Sequence, residues 1–310
     1  MVTDSDLNSG ADTHCGVVAL VGAPNAGKST LLNALVGAKV SIVTPKVQTT
    51  RARVTGVAVT GVSQFIFVDT PGIFSPRRRL ERAMVDAAWS GSHDADVTVL
   101  LVDSRRRMDM EEDDTARIVS GLTESKATAV LALNKVDLVE KNKLLALSNA
   151  LNASGIFRET FMISALTGDG VADLEKFLAN LLPKGPWLYP EDQIADMPLR
   201  LLAAETTREK LFLQLHQELP YHLTVETESW EERSDGSVKI DQVIYISRNA
   251  HKGIVLGKGG QLIKSVGSAS RLELEESLDR RVHLFLYVKV REGWLDEPER
   301  YREMGLEFPR

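Results

Sequence analysis

The chain has 310 residues, 43% of them hydrophobic and 26% charged, which predicts a soluble globular protein of two domains. A single cysteine, Cys15, excludes a disulfide framework and a multi-cysteine metal site and indicates a reducing compartment. The net charge of −6 means that a nucleic-acid partner can be inferred only from local charge.

Residues 1–15 are polar and acidic, lack the pattern of a secretory signal, and are expected to form a flexible N-terminal tail. From residue 16 to 182, short apolar runs alternate with helical patterns. The runs are nearly continuous in Val, Ile, Leu and Phe, which is typical of strands covered on both faces. The expected strands are 16–22, 64–70, 97–103, 128–137 and 159–166, and the expected helices are 29–37, 79–90, 111–122, 143–151 and 170–182.

This alternation predicts an α/β domain over residues 16–182, with a mostly parallel sheet and helices on both faces. Two strand-like runs with a glycine turn between them predict an antiparallel hairpin over residues 53–69. Four prolines then mark residues 183–198 as a linker. Beyond it, the order α-β-β-α-α-β predicts a small α+β domain over residues 199–291, followed by a C-terminal tail, 292–310.

The stretch "GAPNAGKST" follows the first strand and opens the first helix. It fits the pattern G-x-x-x-x-G-K-S/T at Gly22, Gly27, Lys28 and Ser29, in which flexible backbone turns consecutive N–H groups toward a phosphate. The helix directs its positive dipole end at the same point. We expect Lys28 to bind the β- and γ-phosphates and the Ser29 hydroxyl to bind Mg²⁺.

Two further motifs end buried strands, where open α/β sheets bind ligands. In "DTPG", Asp69 can hold Mg²⁺ and the Gly72 N–H can meet the γ-phosphate. In "NKVD", Asp137 offers two acceptors that suit the N1–H and 2-amino group of guanine, and Lys135 can lie along the base plane. Asn134 can contact the base edge and brace the phosphate loop, and Ala165 in "SAL" can donate to guanine O6.

Together these motifs resemble those of a Ras-like P-loop GTPase domain. The resemblance implies a first switch between Ser41 and Arg53, where Thr49 or Thr50 completes the magnesium shell; we favour Thr50. It implies catalytic roles for Lys28, Thr50 and Gly72 and magnesium ligation by Ser29, Thr50 and Asp69. It also implies a GTP site made of Gly22, Ala23, Pro24, Asn25, Ala26, Gly27, Lys28, Ser29, Thr30, Asp69, Thr70, Pro71, Gly72, Asn134, Lys135, Asp137, Ser164, Ala165 and Leu166.

One position departs from the Ras pattern. Ile73 stands where Ras-type proteins place the glutamine that orients the attacking water, so we expect slow hydrolysis. The basic runs at 77–79 and 105–107 are expected to be solvated or RNA-facing stretches without a catalytic role.

The second domain contains "GKGG" between two helical patterns, a G-x-x-G loop that lets a nucleic-acid backbone approach closely. No acidic residue lies between Asp241 and Glu273, whereas several basic residues do. With the α-β-β-α-α-β order, this resembles a type II KH domain. The expected RNA-binding residues are Lys252, Gly253, Gly257, Lys258, Gly259, Gly260 and Lys264.

A Ras-like domain followed by a KH domain is similar to a family of bacterial ribosome-assembly GTPases. The resemblance implies a cytoplasmic monomer that binds GTP, GDP and Mg²⁺, contacts 16S rRNA near its 3′ end, assists 30S subunit assembly and associates peripherally with the cell membrane. Two alternatives stay open: a GTPase whose second domain docks a protein, and an ordinary P-loop kinase or ATPase.

Overall fold

The computed structural model describes residues 13–105 and 113–309. Most of the expected N-terminal tail and residues 106 and 107 of the second arginine run lie outside the described residues. The chain clusters into two compact units. The first unit contains the chain up to Ser41 and residues 53–75 and 85–196. The second unit contains residues 42–52 and 76–84 and the chain from Met197 onward. The domain boundaries expected from the sequence stay predictions.

The first unit is built on a six-stranded sheet of order β2-β3-β1-β4-β5-β6. Only β2 runs antiparallel, paired with β3 in the expected hairpin, and the other neighbours pair in parallel. The strands are β1 (His14–Gly22), β2 (Val54–Thr60), β3 (Ser63–Asp69), β4 (Val97–Asp103), β5 (Ala129–Asn134) and β6 (Phe157–Ile163). The predicted α/β class is confirmed.

Helices pack against this sheet through apolar residues spaced three or four apart. In α1, for example, Leu31, Leu32 and Leu35 are buried, and each contributes about 1.5–3 kcal/mol through burial. The helices are α1 (Lys28–Val36), α2 (Arg79–His93), α3 (Asp114–Glu124), α4 (Lys141–Asn152) and α5 (Val171–Ala179).

Strand register determines which residues meet at the carboxyl edge of the sheet. Leu20 of β1 lies opposite Asp69 of β3, and Asp103 of β4 lies opposite Asn134 of β5. Because parallel strands end at the same edge, the loops that follow β1, β3, β4 and β5 gather there.

The second unit contains a three-stranded sheet of order β7-β8-β9, with β7 antiparallel and β9 parallel to β8. Val255 of α7 and Val266 and Leu274 of α8 are fully buried in its core. The elements are α6 (Leu199–Gln214), β7 (Leu223–Glu232), β8 (Val238–Ile246), α7 (Asn249–Leu256), α8 (Gln261–Leu278), β9 (Val282–Val290) and α9 (Pro298–Glu303). This is the predicted α-β-β-α-α-β order, with α9 added after it.

The segment expected to be a C-terminal tail contributes to the core of the second unit. Trp294 and Tyr301 are each 1% exposed. The Trp294 indole donates to Ser247 Oγ over 3.0 Å, and the Tyr301 hydroxyl donates to the Leu295 carbonyl over 2.6 Å. Burial of both aromatic rings holds α9 in place.

Segment 42–52 belongs to the second unit through buried arginines. The Arg51 guanidinium donates to the carbonyl oxygens of Leu223 (2.8 Å) and Pro220 (3.2 Å), and Arg208 donates to the Thr49 carbonyl. Burial, and then the nearby charge of Arg208, lower the pKa of Arg51 to about 9. The segment is therefore fixed by contacts that no local sequence pattern reveals.

None of the helices in the described part of the chain has the length and apolar character needed to cross a membrane.

We expect Trp294→Ala to destabilise the second unit by about 3–5 kcal/mol, because a fully buried indole is removed and a cavity remains. Tyr287→Ala is the matched control: that ring is 50% exposed, and its loss should cost less than about 0.5 kcal/mol. Urea unfolding followed by circular dichroism measures both. Equal midpoints for the two variants would contradict this account of the C-terminal segment.

Candidate functional site

The loop between β1 and α1 is shaped by its glycines. Gly27 has φ 101°, and a Cβ there would lie 2.2 Å from Asn134 Nδ2. A Cβ on Gly22 would lie 2.4 Å from the Leu101 carbonyl oxygen. Any side chain at either position would collide with neighbouring structure, so the loop can close only with glycine at both.

Lys28 begins α1 and is 6% exposed. Its ammonium donates to the carbonyl oxygens of Gly22 (3.1 Å) and Ala23 (3.3 Å). These contacts hold a buried positive charge across the loop at the positive end of a helix. A phosphate bound at this loop would place its negative charge close to this ammonium and to the helix N-terminus.

Ser29 and Asp69 come together as the sequence predicts. Ser29 Oγ donates to Asp69 Oδ2 over 2.6 Å, and Asp69 is fully buried at the end of β3. A hydroxyl and a carboxylate are hard oxygen donors of the kind that Mg²⁺ prefers. In the described residues, no group of three or more His, Cys, Asp or Glu side chains could hold a metal.

Sequence reasoning missed Ser41 at this cluster. Ser41 Oγ donates to the same Asp69 oxygen over 3.0 Å and is buried. Asn33 of α1 fixes Ser41, because its Oδ1 accepts from the Ser41 N–H and its Nδ2 donates to the Ser41 carbonyl. Ser41 begins the expected first switch, but a single serine gives no sequence signal of its contact with Asp69.

The "DTPG" loop packs directly on the phosphate loop. A Cβ on Gly72 would lie 2.9 Å from Pro24 Cα, and the Ile73 N–H donates to the Gly22 carbonyl over 3.1 Å. Thr70 Oγ1 donates to the Leu20 carbonyl over 2.9 Å, and Pro71 is buried. Ile73 itself is 1% exposed and packs in the core of the first unit, so its side chain cannot order a water.

Thr50 is buried and belongs to the second unit, whereas Ser29 and Asp69 belong to the first. The hydroxyl of Thr49 is engaged inside its own loop, with the Lys46 carbonyl at 2.7 Å and the Thr44 hydroxyl at 2.6 Å. Magnesium ligation and catalysis by Thr50 stay predictions.

Asn134 joins three loops. Its Nδ2 donates to the Ala26 carbonyl over 2.8 Å, and its Oδ1 accepts from the N–H groups of Lys135 (2.8 Å) and Ala165 (2.9 Å). The predicted bracing of the phosphate loop is therefore present in the geometry. Ala165 donates to Asn134 here, and its predicted contact with guanine O6 stays a prediction.

The remaining base-site residues lie around Asn134. Lys135 adopts a left-handed backbone, φ 66°, and its ammonium donates to the Asn25 carbonyl over 2.6 Å. Asp137 is exposed in the short turn Val136–Leu138. Ser164 is buried and Leu166 is 82% exposed.

Two arginines of the run 77–79 contact residues of the second unit. Arg79 forms a 3.0 Å ion pair with Asp296, and Arg78 Nη1 lies 3.3 Å from His222 Nε2. Residues 76–84 cluster with this unit. These two side chains have protein partners and are also solvent-accessible, so the stretch is solvated as expected, and its contact with RNA stays a prediction.

The second run begins at Arg105, which was also expected to be solvent-facing. Its side chain is 50% exposed, as expected, and its guanidinium also pairs with Asp103, a buried carboxylate at the end of β4.

The G-x-x-G loop joins α7 to α8. Gly257, Gly259 and Gly260 all have positive φ, and a Cβ on Gly257 would lie 2.7 Å from Leu262 Cβ. Nothing lies within 4 Å of a Cβ on Gly259 or Gly260, so that side of the loop is open to a ligand backbone.

Exposed groups surround this loop. Ile254 is 56% exposed beside it, whereas Leu262 and Ile263 pack against the core of the second unit. Arg271 forms a 2.7 Å ion pair with Glu275. The predicted RNA-binding residues Lys252, Gly253, Lys258, Gly259 and Lys264 are exposed.

Known proteins share this architecture. A family model described as 50S ribosome-binding GTPase matches residues 17–135, and a KH-domain model matches residues 218–295. GTPase Era of Rhizobium meliloti (strain 1021) is 60% identical over 309 residues, which cover 99% of this chain and 98% of that protein. The chain belongs to the GTPase Era family. GTPase Era of Dinoroseobacter shibae is 62% identical over 301 residues, covering 96% of this chain and 97% of its own.

Solved Era structures have the same fold. A variant of Aquifex aeolicus Era bound to GDP and AlF4⁻ is 37% identical, with a TM-score of 0.88 over 94% of this chain and 99% of its own. Era in complex with MgGDPNP and nucleotides 1506–1542 of 16S ribosomal RNA is 36% identical, with a TM-score of 0.88 over 95% of this chain and 99% of its own. Membership of the Era family makes this chain a GTPase and excludes the kinase or ATPase alternative.

We expect Ser41→Ala to raise the Mg²⁺ concentration needed for half-maximal GTP binding by about tenfold. A hydrogen bond to a charged group contributes about 1.5–3 kcal/mol, and its loss frees the Asp69 carboxylate to reorient. Titration of Mg²⁺ at fixed fluorescent GTP analogue measures the effect.

Ser120→Ala is the matched control, because Ser120 donates to the Glu124 carboxylate over 3.1 Å on the exposed face of α3. This control should leave the Mg²⁺ requirement unchanged. The same Mg²⁺ midpoint for Ser41→Ala and the wild type would exclude a role for Ser41 in holding Asp69.

Proposed function

We propose that this chain is a Mg²⁺-dependent GTP switch that acts as a monomer and binds single-stranded 16S rRNA near its 3′ end to assist 30S subunit assembly. The observation that carries the nucleotide site is the buried side chain of Asn134, which bonds the phosphate loop, the "NKVD" turn and the loop after β6. These hydrogen bonds join the loops that carry the predicted phosphate and base contacts, which supports the proposed site.

The chain's own groups have distinct tasks in this function. The Lys28 ammonium and the N–H groups of the phosphate loop bind the phosphates, and the Asp137 carboxylate accepts from guanine. Ser29 and Asp69 would hold Mg²⁺, with Thr50 as a third ligand, and the ion supplies positive charge to the β- and γ-phosphate oxygens when bound. Because Ile73 is apolar and buried, the protein lacks a water-orienting side chain there, and intrinsic hydrolysis is slow.

RNA binding rests on the KH fold and on the solved relative that holds 16S rRNA nucleotides. The open glycine loop lets the RNA backbone approach, and Lys252, Lys258 and Lys264 offer cations to its phosphates. The relative with bound RNA favours this function over a protein-docking domain.

Asp137→Asn should weaken GTP binding by at least about 100-fold and create binding of xanthosine triphosphate, because the amide replaces one acceptor by a donor. Asp173→Asn, on the exposed face of α5, is the matched control and should bind GTP like the wild type. Competition between the two nucleotides for fluorescent GDP measures the preference. An Asp137→Asn protein that keeps its GTP preference would exclude this base site.

Gly259→Asp should weaken binding of a 16S 3′-end oligonucleotide by at least about tenfold, because it places a negative charge where phosphates approach. Gly236→Asp is the matched control, since that glycine also has positive φ and open space but lies in the β7–β8 turn. Fluorescence anisotropy measures both affinities. Unchanged RNA affinity for Gly259→Asp would favour the protein-docking alternative.

The same assay, run with a GTP analogue and with GDP, tests the switch. A typical coupling of about 1–3 kcal/mol would make RNA affinity about 5- to 150-fold higher in one nucleotide state. We expect the GTP form to bind more tightly. Equal RNA affinities in the two nucleotide states would show that the protein binds RNA without coupling to the bound nucleotide.

A cytoplasmic location with peripheral association at the inner face of the cell membrane is proposed from the family resemblance alone. Absence of the protein from washed membranes at every nucleotide state would contradict the peripheral association.

A further inference from the structure

Asp103 lies beside the candidate base site but outside every nucleotide motif. It is the last residue of β4, is 5% exposed, and is the register partner of Asn134 on β5. Its carboxylate accepts from the Lys135 ammonium over 2.8 Å. It also accepts from the Arg105 backbone N–H (3.1 Å), Nε (3.0 Å) and Nη2 (2.8 Å).

The Lys135 ammonium is held by two groups from different parts of the fold, one in a loop and one on a strand. Its ammonium donates to the Asn25 carbonyl of the phosphate loop and to the Asp103 carboxylate of β4. Lysine has many side-chain rotamers, and ordering them on ligand binding reduces affinity. In this protein the Lys135 rotamer is already selected by protein contacts. Nucleotide binding therefore need not order the side chain, and the corresponding reduction in affinity is avoided.

The Asp103 carboxylate is suited to this task because it stays ionised. Burial raises its pKa, but hydrogen bonds from Arg105 and then Lys135 more than offset burial and lower the pKa to about 2. The Lys135 side chain is only 22% exposed, so salt screens its pair with Asp103 far less than it would screen an exposed pair.

We propose that Asp103 is a positioning residue of the guanine-nucleotide site, which holds the Lys135 side chain so that its aliphatic part forms a preformed surface for the purine base. This inference rests on the proposed nucleotide site and extends it to a carboxylate on a different strand. Asp103 acts through Lys135 and does not touch the nucleotide.

Asp103→Asn tests the role. We expect GDP and a non-hydrolysable GTP analogue to bind about tenfold more weakly, by the same factor, because the base surface is shared by both nucleotides. Single-turnover hydrolysis by saturated protein should stay within about twofold of the wild type. A selective loss of GTP-analogue binding, or a slow single turnover at unchanged affinity, would overturn the proposal.

Arg105→Ala is the matched control. It removes the half-exposed partner of the same carboxylate and keeps the Asp103–Lys135 contact, so nucleotide affinity should stay within about twofold. If Arg105→Ala weakens binding as much as Asp103→Asn, Asp103 acts through its own loop and the proposal fails.

Lys135→Met keeps an unbranched apolar side chain, removes the ammonium and leaves Asp103 paired with Arg105. Its nucleotide affinity should fall by the same factor as that of Asp103→Asn. This variant also tests the proposal if Asp103→Asn folds poorly. The double variant should be no weaker than either single one. A double variant that binds nucleotide about 100-fold more weakly than the wild type would show that the two losses are independent and would overturn the proposal. Wild-type nucleotide affinity for Lys135→Met would also overturn it.

Nucleotide binding by the wild-type protein distinguishes failure of the proposed function from failure of the role proposed for Asp103. If the wild-type protein binds no guanine nucleotide, the proposed function itself fails. If the wild type binds tightly and Asp103→Asn binds equally well, only the role of Asp103 is lost.

Discussion

One buried amide group organises the carboxyl edge of the parallel sheet. Asn134 is 2% exposed, and its side chain makes three hydrogen bonds to backbone groups of three different loops. A buried amide or N–H group left without a partner costs about 1–3 kcal/mol, so any rearrangement of one loop disturbs the other two. The relative positions of these three loops are therefore constrained by contacts within the fold.

The glycines of the nucleotide motifs serve this packing as well as phosphate binding. Gly27 has no Cβ at the place where Asn134 approaches, and Gly72 has none where Pro24 lies. A side chain at position 27 would push the phosphate loop away from Asn134, and one at position 72 would push the "DTPG" loop away from the phosphate loop. The positive φ at position 27 already favours glycine. The close approach of Asn134 Nδ2 explains in addition why not even a small side chain could replace it.

The sequence was most informative where the signal is local. Near-continuous apolar runs predicted the parallel strands, and the spacing of Lys28 and Ser29 after Gly22 placed a phosphate loop between β1 and α1. Ser41 and Asp103 were missed because their partners, Asp69 and Lys135, lie far away in sequence, and a lone serine or aspartate has no distinctive pattern. The contacts of Ser41 and Asp103 can be recognised only in the folded structure, where residues distant in sequence come together.

Trp294 shows the same limit in the second unit. Its segment is rich in charged residues, for which we expected a tail of packing and surface elements, and the indole is buried and donates to Ser247 Oγ. A hydrophobic anchor flanked by polar residues has no period from which burial could be predicted.

The conformation of segment 42–52 depends on contacts with distant residues of the second unit. Arg51 follows Thr50 directly, and its Nη1 and Nη2 donate to two carbonyl oxygens near the start of β7. Val43 is likewise held, through its N–H, by the Glu209 carboxylate of α6. A ligand that changes the conformation of this segment must work against those contacts, and linkage makes the effect reciprocal. Any ligand of the second unit that shifts α6 or the start of β7 must therefore change the free energy of the segment that carries Thr50.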